Sequence, residues 1–205
     1  MDFEVQDLII VDNFYTNPDE VRDFALTLPY REDVFAQHFW RSVAIINEDV
    51  IPHLEYYTKS KILMDEFWET PDDYTHYTEM NMSFYRVVNE TGSEPRANHI
   101  HHDNADWSGI LYLSPDIGPE QGTQFWRHKS SGDEYAFGNT GYVREEWKFD
   151  ERCNISEDFE KTDYVSYKYN RLTLFRGTKF HSACFPNNIQ DGERLNQFFY
   201  FNVEV

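Results

Sequence analysis

From Met80 onward the chain is written in short aromatic and β-branched runs: Met82 to Val88, Gly109 to Leu113, Thr123 to Trp126, Leu172 to Phe175 and Gln197 to Val203. Clusters of Gly, Pro, Asn and Asp separate them. Runs of this length, rich in side chains that pack on a pleated surface and bounded by turn formers, read as strands. Their spacing predicts an antiparallel sandwich or barrel. The 17 Phe and 14 Tyr point the same way, because such rings favour half-buried sheet faces over helical bundles.

The first third has a different texture. Glu4 to Val11 reads as a strand. Asn17-Pro18-Asp19-Glu20 then reads as a helix start, with a capping side chain, Pro in the first turn and acids facing the dipole. Val21, Phe24, Ala25 and Leu28 give that helix one apolar face, and it ends near Pro29. A second helix is predicted from about Asp49 to Phe67, ahead of the breaker Thr70-Pro71-Asp72-Asp73. The polar, acidic stretch from Asp150 to Asp163 reads as a surface excursion between strands and a candidate lid. At 205 residues the chain is expected to be one domain.

Charge excludes some functions. A net charge of −19, with only 18 Lys and Arg spread along the chain, argues against nucleic acid and against an anionic membrane surface as partners. Cys153 and Cys184 make no disulfide framework, the start MDFEVQDLII lacks the features of a leader, and no apolar run reaches a membrane span of ~20 residues. The expectation is a soluble, cytoplasmic protein with a small-molecule or peptide substrate; its oligomeric state is left open.

The chemistry concentrates in Asn98-His99-Ile100-His101-His102-Asp103. In extended backbone, residues i and i+2 project to one side, so His101 and Asp103 point together while His102 faces away. A 2-His-1-carboxylate triad needs such a pair plus one histidine from a strand that crosses nearby, leaving open positions on a ferrous ion. His181, which follows the apolar run Leu172 to Phe175 and a Gly177-Thr178 turn, can supply it. Thirteen residues later Arg194 heads the apolar run Leu195 to Val203, where a cation is out of place unless it meets an anion. A guanidinium fork matches a carboxylate bidentately, so the far carboxylate of a 2-oxoacid is a fitting partner. The same three metal ligands also suit a zinc hydrolase or a cupin-type enzyme without cosubstrate, and a non-catalytic binding module is a third reading. Arg194 discriminates, since a hydrolase has no need of it. Trp107, Phe125, Trp126, Arg127, His128 and Arg176 are candidates for a substrate wall.

Taken together, His101-His102-Asp103, Tyr112-Leu113-Ser114, Gly122-Thr123, His181 and Arg194 resemble the 2-oxoglutarate and Fe(II)-dependent oxygenase superfamily, in its prolyl-hydroxylase-like branch. The likeness runs from about Met80 to Val205, and the first third is similar to small oxygenases of phage and bacterial genomes. The resemblance implies a double-stranded β-helix, or jelly-roll, core over about 80–205, supported by a strand and helices over about 1–79 that pack on one sheet. It implies Fe(II), 2-oxoglutarate and O₂, with ascorbate as a supporting reductant, and a host's cytoplasm if the gene is phage-borne. It implies that Tyr112 and Arg194 hold the cosubstrate's distal carboxylate, with Tyr85 within reach, and that substrate is hydroxylated with release of succinate and CO₂. Peptidyl proline or an amino acid stands slightly ahead as substrate. Two departures bear on the substrate: Gln121-Gly122 stands where paired glycines are common, and Asn196 where many relatives carry Ser or Thr. With this assignment of ligands, His99→Ala and His102→Ala leave metal binding intact; metal loss from either variant, measured by elemental analysis, would mean that the wrong pair was chosen.

Overall fold

The computed structural model describes residues 6–32, 39–64, 80–88, 100–103, 105–136, 158–184 and 193–204. Among these the order is β1 (Leu8–Asp12), α1 (Pro18–Thr27), β2 (Tyr30–Glu32), β3 (Phe39–Ser42), α2 (Ile51–Thr58), β4 (Met80–Val88), β5 (Trp107–Tyr112), β6 (Thr123–His128), β7 (Phe159–Val165), β8 (Arg171–Arg176), β9 (His181–Ala183) and β10 (Glu193–Phe201). The protein is mainly β, and each aromatic run of the sequence falls within or overlaps a strand.

The strands form two antiparallel sheets. The larger runs β1-β8-β5-β10-β4-β3-β2 and the smaller β7-β6-β9. Because directly paired residues share a face, the registers sort the large sheet into two sides. On one side lie Leu195, Phe199 and Phe201 of β10 with Met80, Met82 and Phe84 of β4 and Leu111 of β5. These pack with Ala25 of α1 and with Val50 and Leu54 at α2 into the main core. The other side carries Arg194, paired with Val87, Asn196, paired with Tyr85 and Tyr112, and Phe198, paired with Ile110. Ile110, Tyr112 and Phe175 from this side join Phe125, Val165 and Tyr167 in a second core cluster, which fills the space between the sheets. The large sheet is therefore covered by helices on one face and by the small sheet on the other.

The helices depart from the sequence reading. Asn17 makes no side-chain cap to α1; Pro18 opens the helix instead, and its missing N–H costs nothing in the first turn. Phe24, assigned to the apolar face, is half exposed. The second helix is shorter than the predicted 49–67. A 3-10 turn, Glu48–Val50, comes first, with the Asn47 side chain accepting from the Asp49 N–H at 3.1 Å, and α2 runs only to Thr58. It ends at Lys59, at φ +52°. The Glu55 carboxylate then accepts from the Ile62 N–H at 3.1 Å, and Ile62 bridges Val203 beyond β10. That contact with the sheet ends the helix where local spacing alone would continue it.

The predicted excursion at 150–163 is corrected in its second half, since Phe159–Val165 is β7, paired along β6. Its polar letters belong to an edge strand with much of its length in water, and edges are where charged residues are placed. Residues 150–157, and with them the lid, lie outside the described residues. No helix among the described residues is long and apolar enough to cross a membrane.

Phe199, fully buried on the helix side of β10 with its ring edge-on to Phe14, provides a test of this layering. Phe199→Ala is expected to lower stability by about 3–5 kcal/mol in urea denaturation, the usual cost of emptying a Phe site; a loss under ~1 kcal/mol would show that this face is not the core.

Candidate metal and carboxylate site

His101, Asp103 and His181 converge, each offering a ligand atom, and these atoms lie within 4.8 Å of one another. His181 Nε2 is 3.3 Å from Asp103 Oδ2, and His101 Nε2 is 3.9 Å from Asp103 Oδ1. The two imidazole centroids are 4.2 Å apart. His181 is buried, and His101 is about half exposed.

Backbone pairing brings the three together. His101 and His181 exchange both main-chain hydrogen bonds at 2.9 Å, an isolated bridge that extends the small sheet beyond β9. Asp103 lies past that bridge, outside any strand, so the expected two-residue strand spacing holds only at its first member. Asp103 is fixed instead by its N–H donating to the Gly177 carbonyl at 2.7 Å. Gly177 in turn donates to the Asp106 carbonyl. A Cβ at Gly177 would lie 2.1 Å from the Ala105 carbonyl oxygen, so only glycine lets these backbones meet.

Two further groups orient the ligand atoms. Ser108 Oγ donates to Asp103 Oδ2 at 2.6 Å, and His181 Nδ1 donates to the Lys179 carbonyl at 2.8 Å. The second contact leaves His181 Nε2 as the ligand nitrogen, the arrangement that metal-binding histidines use. Burial works against ionisation of Asp103, but the two imidazoles and the Ser108 hydroxyl outweigh it and hold the carboxyl at about 2. The carboxylate is therefore charged at neutral pH, as a ligand must be. His102 is not part of the cluster: its ring packs against Phe180 and its Nδ1 lies 3.4 Å from the Asp103 carbonyl. His99 lies outside the described residues.

Arg194 is 2% exposed. Its guanidinium carbon sits 5.2 Å from the Tyr167 ring centre and 5.8 Å from that of Tyr112, rings that stack on each other at 4.4 Å. Nη1 donates to the Cys184 carbonyl at 3.4 Å. Burial pulls the Arg194 pKa down and pushes that of Tyr112 up, and each is partly offset by the other. The Tyr112 hydroxyl pairs with Thr123 Oγ1 at 2.8 Å. On β6, Thr123 pairs with Ala183 and Phe125 with His181, so the Tyr112-Thr123 pair lies one pleat, about 7 Å, from the distal histidine. That separation suits a short diacid gripped at both ends.

Tyr85 shares this face, in the cross-strand row Tyr85-Asn196-Tyr112. Its ring lies 4.6 Å from Phe198 and beneath Arg41, at 5.4 Å. Most of the expected substrate wall is elsewhere. Trp107 and Arg176 stack at 4.3 Å on the helix side of the large sheet. Trp126 packs with Ile100, Ala136 and Phe180 in a separate cluster, Arg127 is bound to Glu134 and Glu160, and His128 lies edge-on to Phe159. Phe125 alone of that set packs between the sheets, against Phe175. Ser108, Thr123 and Tyr167 were missed as site residues. Counting back in twos from Tyr112 reaches Ser108, so that one had a signal; Tyr167 follows β7 and has none short of the fold.

The chain belongs to the family of unknown function DUF6445, whose model matches residues 2–196. None of the curated proteins matches it in sequence. Among solved structures it is similar to HygX from Streptomyces hygroscopicus with nickel and 2-oxoglutarate bound, at 11% identity and a TM-score of 0.55, over 98% of this chain and 84% of HygX. It is also similar to the epimerase SnoN in complex with Fe3+, alpha-ketoglutarate and nogalamycin RO, at 12% identity and a TM-score of 0.56, over 96% of this chain and 80% of SnoN. A third likeness is to IDO from Bacillus thuringiensis, at 10% identity and a TM-score of 0.55, over 99% of this chain and 93% of that one. At such identities the shared property is the fold.

Gly177→Ala tests the backbone arrangement. It is expected to weaken Co(II) binding at least tenfold, read by titration in the visible band, because Asp103 loses its anchor; unchanged affinity in a folded variant would show that the close approach does not set the site.

Proposed function

We propose that this protein is a 2-oxoglutarate- and Fe(II)-dependent oxygenase with a double-stranded β-helix core, in which His101, Asp103 and His181 hold the iron and Arg194 with Tyr112 holds the cosubstrate's distal carboxylate. The observation that carries the reading is that two groups face the space between the sheets: a two-histidine, one-carboxylate cluster, and a buried guanidinium beside Tyr112, whose hydroxyl bonds Thr123 one pleat along β6 from the partner of His181. The alternation of β8, β5, β10 and β4 in one sheet with β7, β6, β9 and the His101 bridge in the other supports the jelly-roll assignment.

The donor set fits the metal. Two neutral imidazoles and one carboxylate on one side of an ion leave the opposite positions open, which is the ligand pattern of non-haem Fe(II) oxygenases. Bound iron and 2-oxoglutarate supply the oxidising chemistry, with succinate and CO₂ as coproducts, and the protein supplies orientation. Ser108 keeps Asp103 turned toward the ion, and the Lys179 carbonyl fixes the His181 ring. Arg194 meets the far carboxylate as a charge-assisted fork in a space closed by Tyr112 and Tyr167. Tyr85 lines the same face one strand away and forms part of the wall. Substrate oxygenation is expected at a small molecule or peptide, with an amino acid or peptidyl proline the first to be tried. A zinc hydrolase would have no use for the buried arginine.

Anaerobic addition of Fe(II) and 2-oxoglutarate should produce the weak visible charge-transfer band of a chelated 2-oxoacid, and exposure to air should yield succinate. Arg194→Ala is expected to raise the 2-oxoglutarate requirement by about 10- to 100-fold, the loss of one or two charge-assisted contacts. Iron-loaded protein with no such band, or an Arg194→Ala variant with unchanged dependence, would contradict the assignment.

A further inference from the structure

The turn that carries His181 is pinned by an ion pair whose lysine is buried and whose carboxylate is partly exposed. Lys179 is 4% exposed. Its Nζ donates to Glu134 Oε2 at 2.9 Å and to the Tyr135 hydroxyl at 3.2 Å, and lies 4.7 Å from the centre of the Tyr135 ring. Glu134 is held from its other side by Arg127, through Nη2 and through Nε at 3.1 Å. The Tyr135 hydroxyl passes on to Asp7 at 3.0 Å. Backbone contacts follow the same track: Phe180 N–H donates to the Glu134 carbonyl at 2.9 Å, Ala136 N–H to the Thr178 carbonyl at 2.8 Å, and Tyr135 bridges Lys179.

An ion pair with one buried partner is weak support for stability, because desolvation of the lysine consumes much of the Coulomb gain. Its position suggests another use. The Gly177–Phe180 turn supplies two carbonyls to the site: Gly177 accepts from the Asp103 N–H, and Lys179 accepts from His181 Nδ1. One four-residue turn thus fixes both a carboxylate and an imidazole, and the Lys179 side chain ties that turn to the 134–136 segment.

We propose that Lys179 and Glu134 are positioning residues for the metal centre: their ion pair holds the turn whose carbonyls aim His181 and Asp103, and so sets metal affinity and ligand geometry without touching the metal. This rests on the reading of His101, Asp103 and His181 as the ligands. When such supporting partners are lost, metal affinity falls typically 10- to 100-fold.

The full-length protein is titrated with Co(II) as the probe, following its visible bands, together with the ¹⁵N shifts of the His181 imidazole in the zinc-loaded form. Lys179→Met and Glu134→Gln are each expected to weaken Co(II) binding by about 10- to 100-fold, to alter the band shape and to move the His181 shifts. Lys179→Arg, which keeps the cation, should stay near the wild type. If Lys179→Met does not fold, the milder Glu134→Gln decides, with thermal unfolding as the check on integrity. Folded variants that bind Co(II) within threefold of the wild type, with unchanged bands, would overturn the positioning role. A wild-type protein that binds no Co(II), or binds it equally after His181→Ala, would instead remove the ligand assignment on which the role stands.

Discussion

The turn from Gly177 to Phe180 is the constraint on which the rest depends, because there the chain leaves the large sheet at β8 and enters the small sheet at β9. Sheet pairing fixes its two ends: β8 is held by β1 and β5, and β9 by β6 and the His101 bridge. The two imidazoles and the carboxylate are delivered to the seam between the sheets, where His181 is buried, His101 is half exposed and the largely buried Asp103 carboxylate is charged beside compensating partners. The close approach at Gly177 and the 2.7 Å contact from Asp103 to its carbonyl turn a loop into a defined position.

The second charged group follows from the same layering. Arg194 is the second residue of β10, the strand that lies between β5 and β4 in the large sheet, and its side chain is buried on the inter-sheet side. In an acidic chain of net charge −19, a guanidinium buried beside two stacked tyrosine rings is costly unless its environment is built for it. Tyr112 and Tyr167 give it aromatic faces, and Asn196, with its amide turned, offers an oxygen to Nε at 3.2 Å. The cation and Tyr112 on the large sheet, and Thr123 and His181 on the small one, thus face the same inter-sheet space.

Much of this was legible in the residues. The cluster of histidines and aspartate at 98–103, the apolar run that made Arg194 conspicuous and the aromatic runs that became β4, β5, β6, β8 and β10 all rest on local chemistry; the strand spacing that joined His101 to Asp103 does not extend to Asp103, which the Gly177 carbonyl holds instead. What local chemistry could not show depended on registers. The direction of Trp107 and Arg176 is set by the pairing of Trp107 with Phe201 on one side and with Arg176 on the other, and a one-residue slip would have put them in the site. β7 was hidden because a solvent-facing edge strand reads as polar loop. The end of α2 was set by Ile62 meeting Val203, a contact of long sequence separation. Glu134, forty-five residues from Lys179, had no signal in the sequence at all.

The central claim, one ferrous ion shared by His101, Asp103 and His181 beside a diacid bound to Arg194, is tested most directly by crystallography. Crystals grown anaerobically with Mn(II) in place of Fe(II), together with 2-oxoglutarate, should show one anomalous peak bonded to His101, Asp103 and His181, with continuous density from the peak to the Arg194 guanidinium. A peak at other side chains, or a diacid whose far carboxylate ends away from Arg194, would contradict it.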